Sequence, residues 1–208
     1  TMINILSLKH TFYQRDNNCC RIMTNLIDNP YLDQLIQVYP KEGFTHCLRN
    51  EGSKKHYSFW IQDIILRNRI NNTAKKNVAN IWFNFAEFIL SKDYIDCLSE
   101  STKVNLKEME INISFYKFEK GDWVSPHIDN SDKILTQIFY FNDFWSRDWG
   151  GYFNLLGSKH VHDVHFSVPP LVTFSVLIFR TDCSWHMVTP VTDISKASRL
   201  SVQIEFIK

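Results

Sequence analysis

The chain has 208 residues, 44% of them hydrophobic and 22% charged, with 23 Lys and Arg set against 22 Asp and Glu for a formal net charge of +1. That length supports one substantial core, and the near-balance of charge gives no electrostatic reason to expect a nucleic-acid or membrane partner. The 16 Phe, 8 Tyr and 6 Trp favour strands and an aromatic-walled pocket.

In chain order, the first signals are helical. Cys19 and Cys20, with Cys47, Cys97 and Cys183, form no CxxC pair and read as reduced thiols in a cytoplasmic setting. Asn29-Pro30 marks a helix start leading into Leu32, Leu35 and Ile36. The stretch "GFTHCLRNEGSKKHYSFW" shows no clear period and is expected to be loop plus a short strand. Lys54-Lys55 within it, and Lys75-Lys76 beyond it, read as solvated charges. Val78, Ile81, Trp82, Phe85 and Ile89 recur at helical spacing and predict one long helix from Thr73 to Leu98. No segment is apolar enough over 18 residues to span a membrane.

Near residue 108 the period changes to two. Ile111, Ile113 and Phe115 alternate with Asn112, Ser114 and Tyr116, while Leu200, Val202, Ile204 and Phe206 alternate with Arg199, Ser201, Gln203 and Glu205. Between them lie strand candidates at 134–141, 152–156, 161–166, 171–179 and 184–191, separated by Gly150-Gly151, Gly157-Ser158 and Pro169-Pro170. The pattern predicts a single domain over 1-208, with helical and irregular segments in 1-107 buttressing a β-sandwich or jelly roll in 108-208. If the apolar edges of the first and last strands pack on helices, their polar edges line a cavity.

One chemical motif stands inside this region. His127 and Asp129 in "SPHIDNSD" are two residues apart, so an extended backbone turns both to one side. A third ligand from the opposite sheet would complete the two-His, one-carboxylate set of non-haem Fe(II) oxygenases, and His186 in "SWHMVTPV" is the candidate. Arg199, on the polar edge of the last strand, offers a fork suited to a carboxylate. His160, His162 and His165 read as a polar hairpin, and Trp123, Trp145, Trp149 and Trp185 as core and rim packing.

From Ile111 to Phe206 the sequence resembles the iron(II)- and 2-oxoglutarate-dependent dioxygenases, particularly the prolyl-hydroxylase-like branch. The resemblance rests on "SFYKFEKGDWVSPHIDNSDKILTQIFYFND", "WGGYFNLL", "SVLIFRTDCSWHMVTPV" and "SRLSVQIEF". It implies a mainly β fold with N-terminal helices, a double-stranded β-helix (the cupin-like jelly roll) with helices packed on one sheet. It implies that His127, Asp129 and His186 bind Fe(II), that Arg199 pairs with the far carboxylate of 2-oxoglutarate, and that Tyr140 supports it, with Tyr116 and Ser201 lining the pocket. It further implies hydroxylation of an unactivated C–H bond by dioxygen, on an amino acid or within a peptide or protein, with ascorbate as a possible accessory reductant. Related nucleic-acid demethylases usually carry a second arginine six residues after the first, where this chain has Glu205, which speaks against a nucleic-acid substrate. The alternative class is a non-catalytic jelly-roll module that binds a metal or small carboxylate.

Overall fold

A computed structural model describes residues 2–4, 7–8, 13–14, 19–52 and 55–208. Its helices are α1 (Asn29–Gln37), α2 (Asn80–Ile89) and α3 (Lys92–Thr102). Its strands are β1 (Tyr13–Gln14), β2 (Cys20–Thr24), β3 (Thr45–Arg49), β4 (Tyr57–Leu66), β5 (Arg69–Ile70), β6 (Glu110–Phe118), β7 (Trp123–His127), β8 (Lys133–Tyr140), β9 (Phe153–Leu156), β10 (Val164–Val168), β11 (Phe174–Phe179), β12 (His186–Val188) and β13 (Arg199–Ile207). They join in the order β1-β2-β11-β8-β13-β6-β4-β7-β12-β9-β10, with β3 and β5 also on β4. Every strand pair is antiparallel. Residues of β4, β6, β8 and β13 line one cavity together with residues of β7, β9 and β12, so the sheet curls back over itself as a jelly roll does.

The period-two alternation sorts the two faces of the central strands as expected. Ile111, Ile113 and Phe115 of β6 and Val202, Ile204 and Phe206 of β13 join a core with Trp82, Phe85 and Ile89 of α2. Trp82 is fully buried, its ring 4.8 Å from that of Phe115 and 4.9 Å from that of Phe141, both edge-on. The opposite edges, Tyr116 and Gln203 among them, face the cavity.

Three local expectations are corrected. The predicted helix over 73–98 is broken: a 3-10 turn at Ala74–Lys76 precedes α2, and Ser91 separates α2 from α3. Ser91 is extended (φ −69°, ψ 149°); its hydroxyl accepts from the Tyr94 amide at 3.3 Å and donates to the Phe88 carbonyl at 2.6 Å, ending one helix and capping the next. The N-terminal half also holds more β structure than its helical periodicity suggests. The irregular stretch is β3 and the start of β4, a ten-residue strand paired to β6 and β7. A register shift between Asp63 and Ile65 puts Gln62, Ile64 and Ile65 all inside and erases the period-two signature. Lys75 and Lys76 are exposed as expected, Lys54 lies outside the described residues, and Lys55 is partly buried beside the cavity.

Candidate metal centre

Strand register brings the histidines together. His127, the last residue of β7, lies directly opposite His186, the first of β12, and their ring centroids are 4.1 Å apart. Asp129 follows two residues after β7 and places Oδ1 3.7 Å from His127 Nε2 and 4.0 Å from His186 Nε2. All three side chains are buried, and among the described residues they form the one group whose ligand atoms, within 4.8 Å of one another, could hold a metal ion. Cis ligands at roughly 2.1 Å from an ion stand about 3 Å apart, so closure onto a metal needs movements under about 1 Å. His160, His162 and His165 join no such group and flank the turn between β9 and β10.

The surroundings fix the ligands in metal-ready form. His127 Nδ1 and His186 Nδ1 each lie 2.9 Å from the carbonyl two residues back, Ser125 and Ser184. A carbonyl can only accept, so each Nδ1 carries the proton and each Nε2 lone pair faces inward. Burial pushes His127 down, and burial together with His127 pushes His186 down to about 3, so both rings stay neutral. Burial alone would raise Asp129, but His127, Lys133 and His186 outweigh it and hold the carboxyl well below the usual range. Thr136 Oγ1 donates to Asp129 Oδ2 at 3.1 Å, and Lys133 Nζ lies 3.6 Å from Oδ1 and 2.5 Å from Glu205 Oε1. Phe153 stacks on the His186 ring at 5.6 Å. Sequence reasoning missed Lys133, Thr136 and Phe153; the position of Lys133, four residues after Asp129, was the available signal.

Further along the same strands sits Arg199, fully buried between two rings, its guanidinium carbon 4.6 Å from the Phe118 centroid and 5.1 Å from that of Tyr140. Nε donates to the Gly151 carbonyl at 2.8 Å and Nη1 to Ser201 Oγ at 3.2 Å. Ser201 stands opposite Tyr116 on β6 and Tyr140 on β8, so the four residues expected around a carboxylate occupy neighbouring positions. The Gly-Gly turn shapes this end: Gly150 has φ +64°, and a Cβ there would lie 2.0 Å from the Pro190 carbonyl oxygen. Arg199 Nη2 and Tyr140 Oη are buried without a hydrogen-bond partner. The two groups lie close enough to bear on each other's titration, yet neither makes a well-formed hydrogen bond, which leaves donor capacity that an anion can meet; burial pushes the Tyr140 phenol up to about 12, so it remains a donor. The residues present therefore fit both groups that the sequence suggests: an N,N,O set for Fe(II), and a fork plus phenol for a carboxylate.

Comparison with known proteins agrees. Residues 111–205 match the family described as the 2OG-Fe(II) oxygenase superfamily. No curated protein matches the sequence. Among solved structures, a Pseudomonas putida prolyl-4-hydroxylase is similar with TM-score 0.62 at 14% identity, over 91% of this chain and 92% of that one. A Trichoplax adhaerens prolyl hydroxylase, in complex with a hypoxia inducible factor oxygen degradation domain peptide fragment, aligns with TM-score 0.63 at 16% identity over 99% and 87% of the two chains. A Burkholderia pseudomallei oxidoreductase of the 2OG-Fe(II) oxygenase family gives 0.65 at 11% identity over 91% and 85%. At these identities the solved structures establish the jelly-roll fold. Residues 111–205, the part of the chain that matches the 2OG-Fe(II) oxygenase superfamily of Fe(II)- and 2-oxoglutarate-dependent enzymes, hold the His127, Asp129 and His186 triad and Arg199.

Proposed function

We propose that the chain hydroxylates an unactivated C–H bond of an amino-acid side chain, free or within a peptide, using Fe(II) held by His127, Asp129 and His186. The observation that carries this reading is the direct cross-strand register of the two histidines with Asp129 against both. When bound, iron and 2-oxoglutarate supply the oxidising power by which dioxygen attacks such a bond, 2-oxoglutarate leaving as succinate and carbon dioxide. The chain's own residues bind and orient. Arg199 Nη2 and Tyr140 Oη meet the far carboxylate, Ser201 fixes the fork through Nη1, and Tyr116 lines the cavity. Thr136 and Lys133 steady the Asp129 oxygens, while Phe153, Ile138 and Val188 keep water from the ligands.

The similarity to prolyl hydroxylases, one of them with a peptide bound, supports a side chain within a peptide as the first substrate to try. Ascorbate serves as an accessory reductant in this reading, and the cysteine pattern supports work in the cytoplasm. Among the described residues no helix is long and apolar enough to cross a membrane. The test is succinate release by the purified chain with Fe(II), 2-oxoglutarate and dioxygen over a panel of free amino acids and peptides. The expected result is release stimulated by one class, matched by one added oxygen atom in the product. Absence of oxygen-dependent succinate under every condition would refute the enzyme reading.

A further inference from the structure

Beside the metal centre opens a groove of about 680 Å³ whose walls include His127, its neighbours Ser125, Pro126 and Ile128, and Trp185, the residue before His186. Its size is that of a ligand site. Its charge is one-sided. Arg49 at the end of β3, Lys55 ahead of β4 and Lys159 in the β9–β10 turn all line it, and among the described residues none that lines it carries a carboxylate. Over the whole chain cations and acids stand at 23 to 22, so this clustering is local. Among the described residues no carboxylate pairs with Arg49, Lys55 or Lys159. Arg49 Nε reaches only the Glu51 carbonyl, at 3.5 Å, and Lys55 Nζ lies 5.9 Å from the Tyr57 ring centroid.

Lys55 links groove and metal centre because it also lines the cavity that holds the ligand triad. Its backbone is fixed there. The His56 amide donates to Ser125 Oγ at 2.8 Å, the Ser125 amide donates to the His56 carbonyl at 2.9 Å, and Tyr57 pairs with Val124. Lys55 therefore borders both the groove and the cavity of the ligand triad. Burial lowers its pKa, and the nearby Lys133 and Arg49 add to this while Asp129 and Glu205 oppose it.

Resting on the oxygenase reading above, we propose that the groove selects an acidic substrate: a peptide segment whose carboxylates meet Lys55 next to the reacting carbon and Arg49 and Lys159 further out. Cations on three separate elements suit carboxylates spread along a chain better than the single cluster of a free amino acid. A chain of pI ≈ 7.6 lacks the broad basic field that tracks a phosphate backbone.

The experiment measures binding of fluorescent decapeptides rich in Glu, in Ser or in Lys to the full chain, with free glutamate and a single-stranded oligonucleotide as competitors. Succinate release without any peptide, run in parallel, reports on the oxygenase reading by itself. Screened ion pairs are worth about two- to fivefold each, so the Glu-rich peptide is expected to bind at least about tenfold tighter than the Ser-rich one. That margin should shrink as salt rises and on Lys55→Gln. Lys159→Gln, on an exposed turn, gives the same reading if Lys55→Gln fails to fold. Competition by free glutamate at the peptide's own affinity would keep the carboxylate chemistry and assign its source to a free amino acid. Equal binding of the three peptides, or stronger competition by the oligonucleotide, would overturn the proposal. Absence of oxygen-dependent succinate both with and without every peptide, the Glu preference intact, would instead strike only at the oxygenase reading.

Discussion

At the scale of single residues, Arg199 and His186 carry the sharpest consequences. A fully buried guanidinium with one nitrogen unmet is an unfavourable state unless a ligand completes it. Removing a buried charge-assisted contact costs on the order of 2–5 kcal/mol. Arg199→Ala is therefore expected to raise the half-saturating 2-oxoglutarate concentration steeply. Arg199→Lys should rescue only partly, because an ammonium cannot keep the bonds to Gly151 and Ser201 and also present a fork. Titration of co-substrate against succinate formation measures both; an unchanged half-saturation in Arg199→Ala would move the anchor elsewhere. His186 makes a prediction in pH. An unfolded chain protonates its imidazoles near pH 6.5, whereas the native rings resist, His186 down to about 3. Below about pH 6.5 the unfolded state thus binds more protons, and the metal-free protein loses stability progressively as pH falls toward 3. Asp129 adds to the loss at the acid end, since its depressed pKa stabilises the fold only above its ordinary value near 3.9 and that contribution fades as pH drops. Thermal melts from pH 8 to 4 should show this decline, and His186→Gln should flatten it.

At the scale of elements, legibility in the sequence followed the regularity of each strand or helix. The polar edge of β13 was readable because nine residues alternate without interruption, Arg199, Ser201 and Gln203 on one face and Leu200, Val202 and Ile204 on the other. The His-x-Asp pair was readable from its spacing, although β7 ends at His127 and Asp129 follows in the chain beyond it. β4 was not, since its register shift at Asp63–Ile65 breaks the period, and the helix break at Ser91 was hidden by apolar residues that keep helical spacing across it. Lys55 was misread because its place depends on pairing with Ser125, 69 residues away from His56, which no local pattern encodes. Two stability effects belong here. Ser91→Ala removes the cap of α3 and should cost about 0.5–2 kcal/mol. Trp82→Ala empties the aromatic contact between α2 and the sheet and should cost about 3–5 kcal/mol. Denaturant unfolding of the metal-free chain would check both, the larger loss falling on Trp82→Ala.

For the whole molecule, the division of labour lies between the two faces of one curled sheet. The outer face of β6, β8 and β13 packs Phe115, Phe139 and Phe206 against the helices and supplies rigidity. The inner face carries Thr136, Tyr140, Arg199, Ser201 and Gln203, and closes with β7, β9 and β12 around the ligand triad. Polar side chains can crowd that interior because most are held by a neighbour; alternation alone marked the polar edge of β13, while the place of Tyr140 beside it came from the family resemblance. The orphaned Arg199 and Tyr140 groups became visible only in three dimensions. The most direct measurement is an anaerobic Fe(II) titration of the unmodified chain, His186→Ala and Asp129→Ala, with 2-oxoglutarate added after the metal. The unmodified chain is expected to take up one equivalent and then bind 2-oxoglutarate, while each variant retains its fold and loses tight iron. Full, tight uptake of one equivalent by His186→Ala would contradict the assignment of the metal centre.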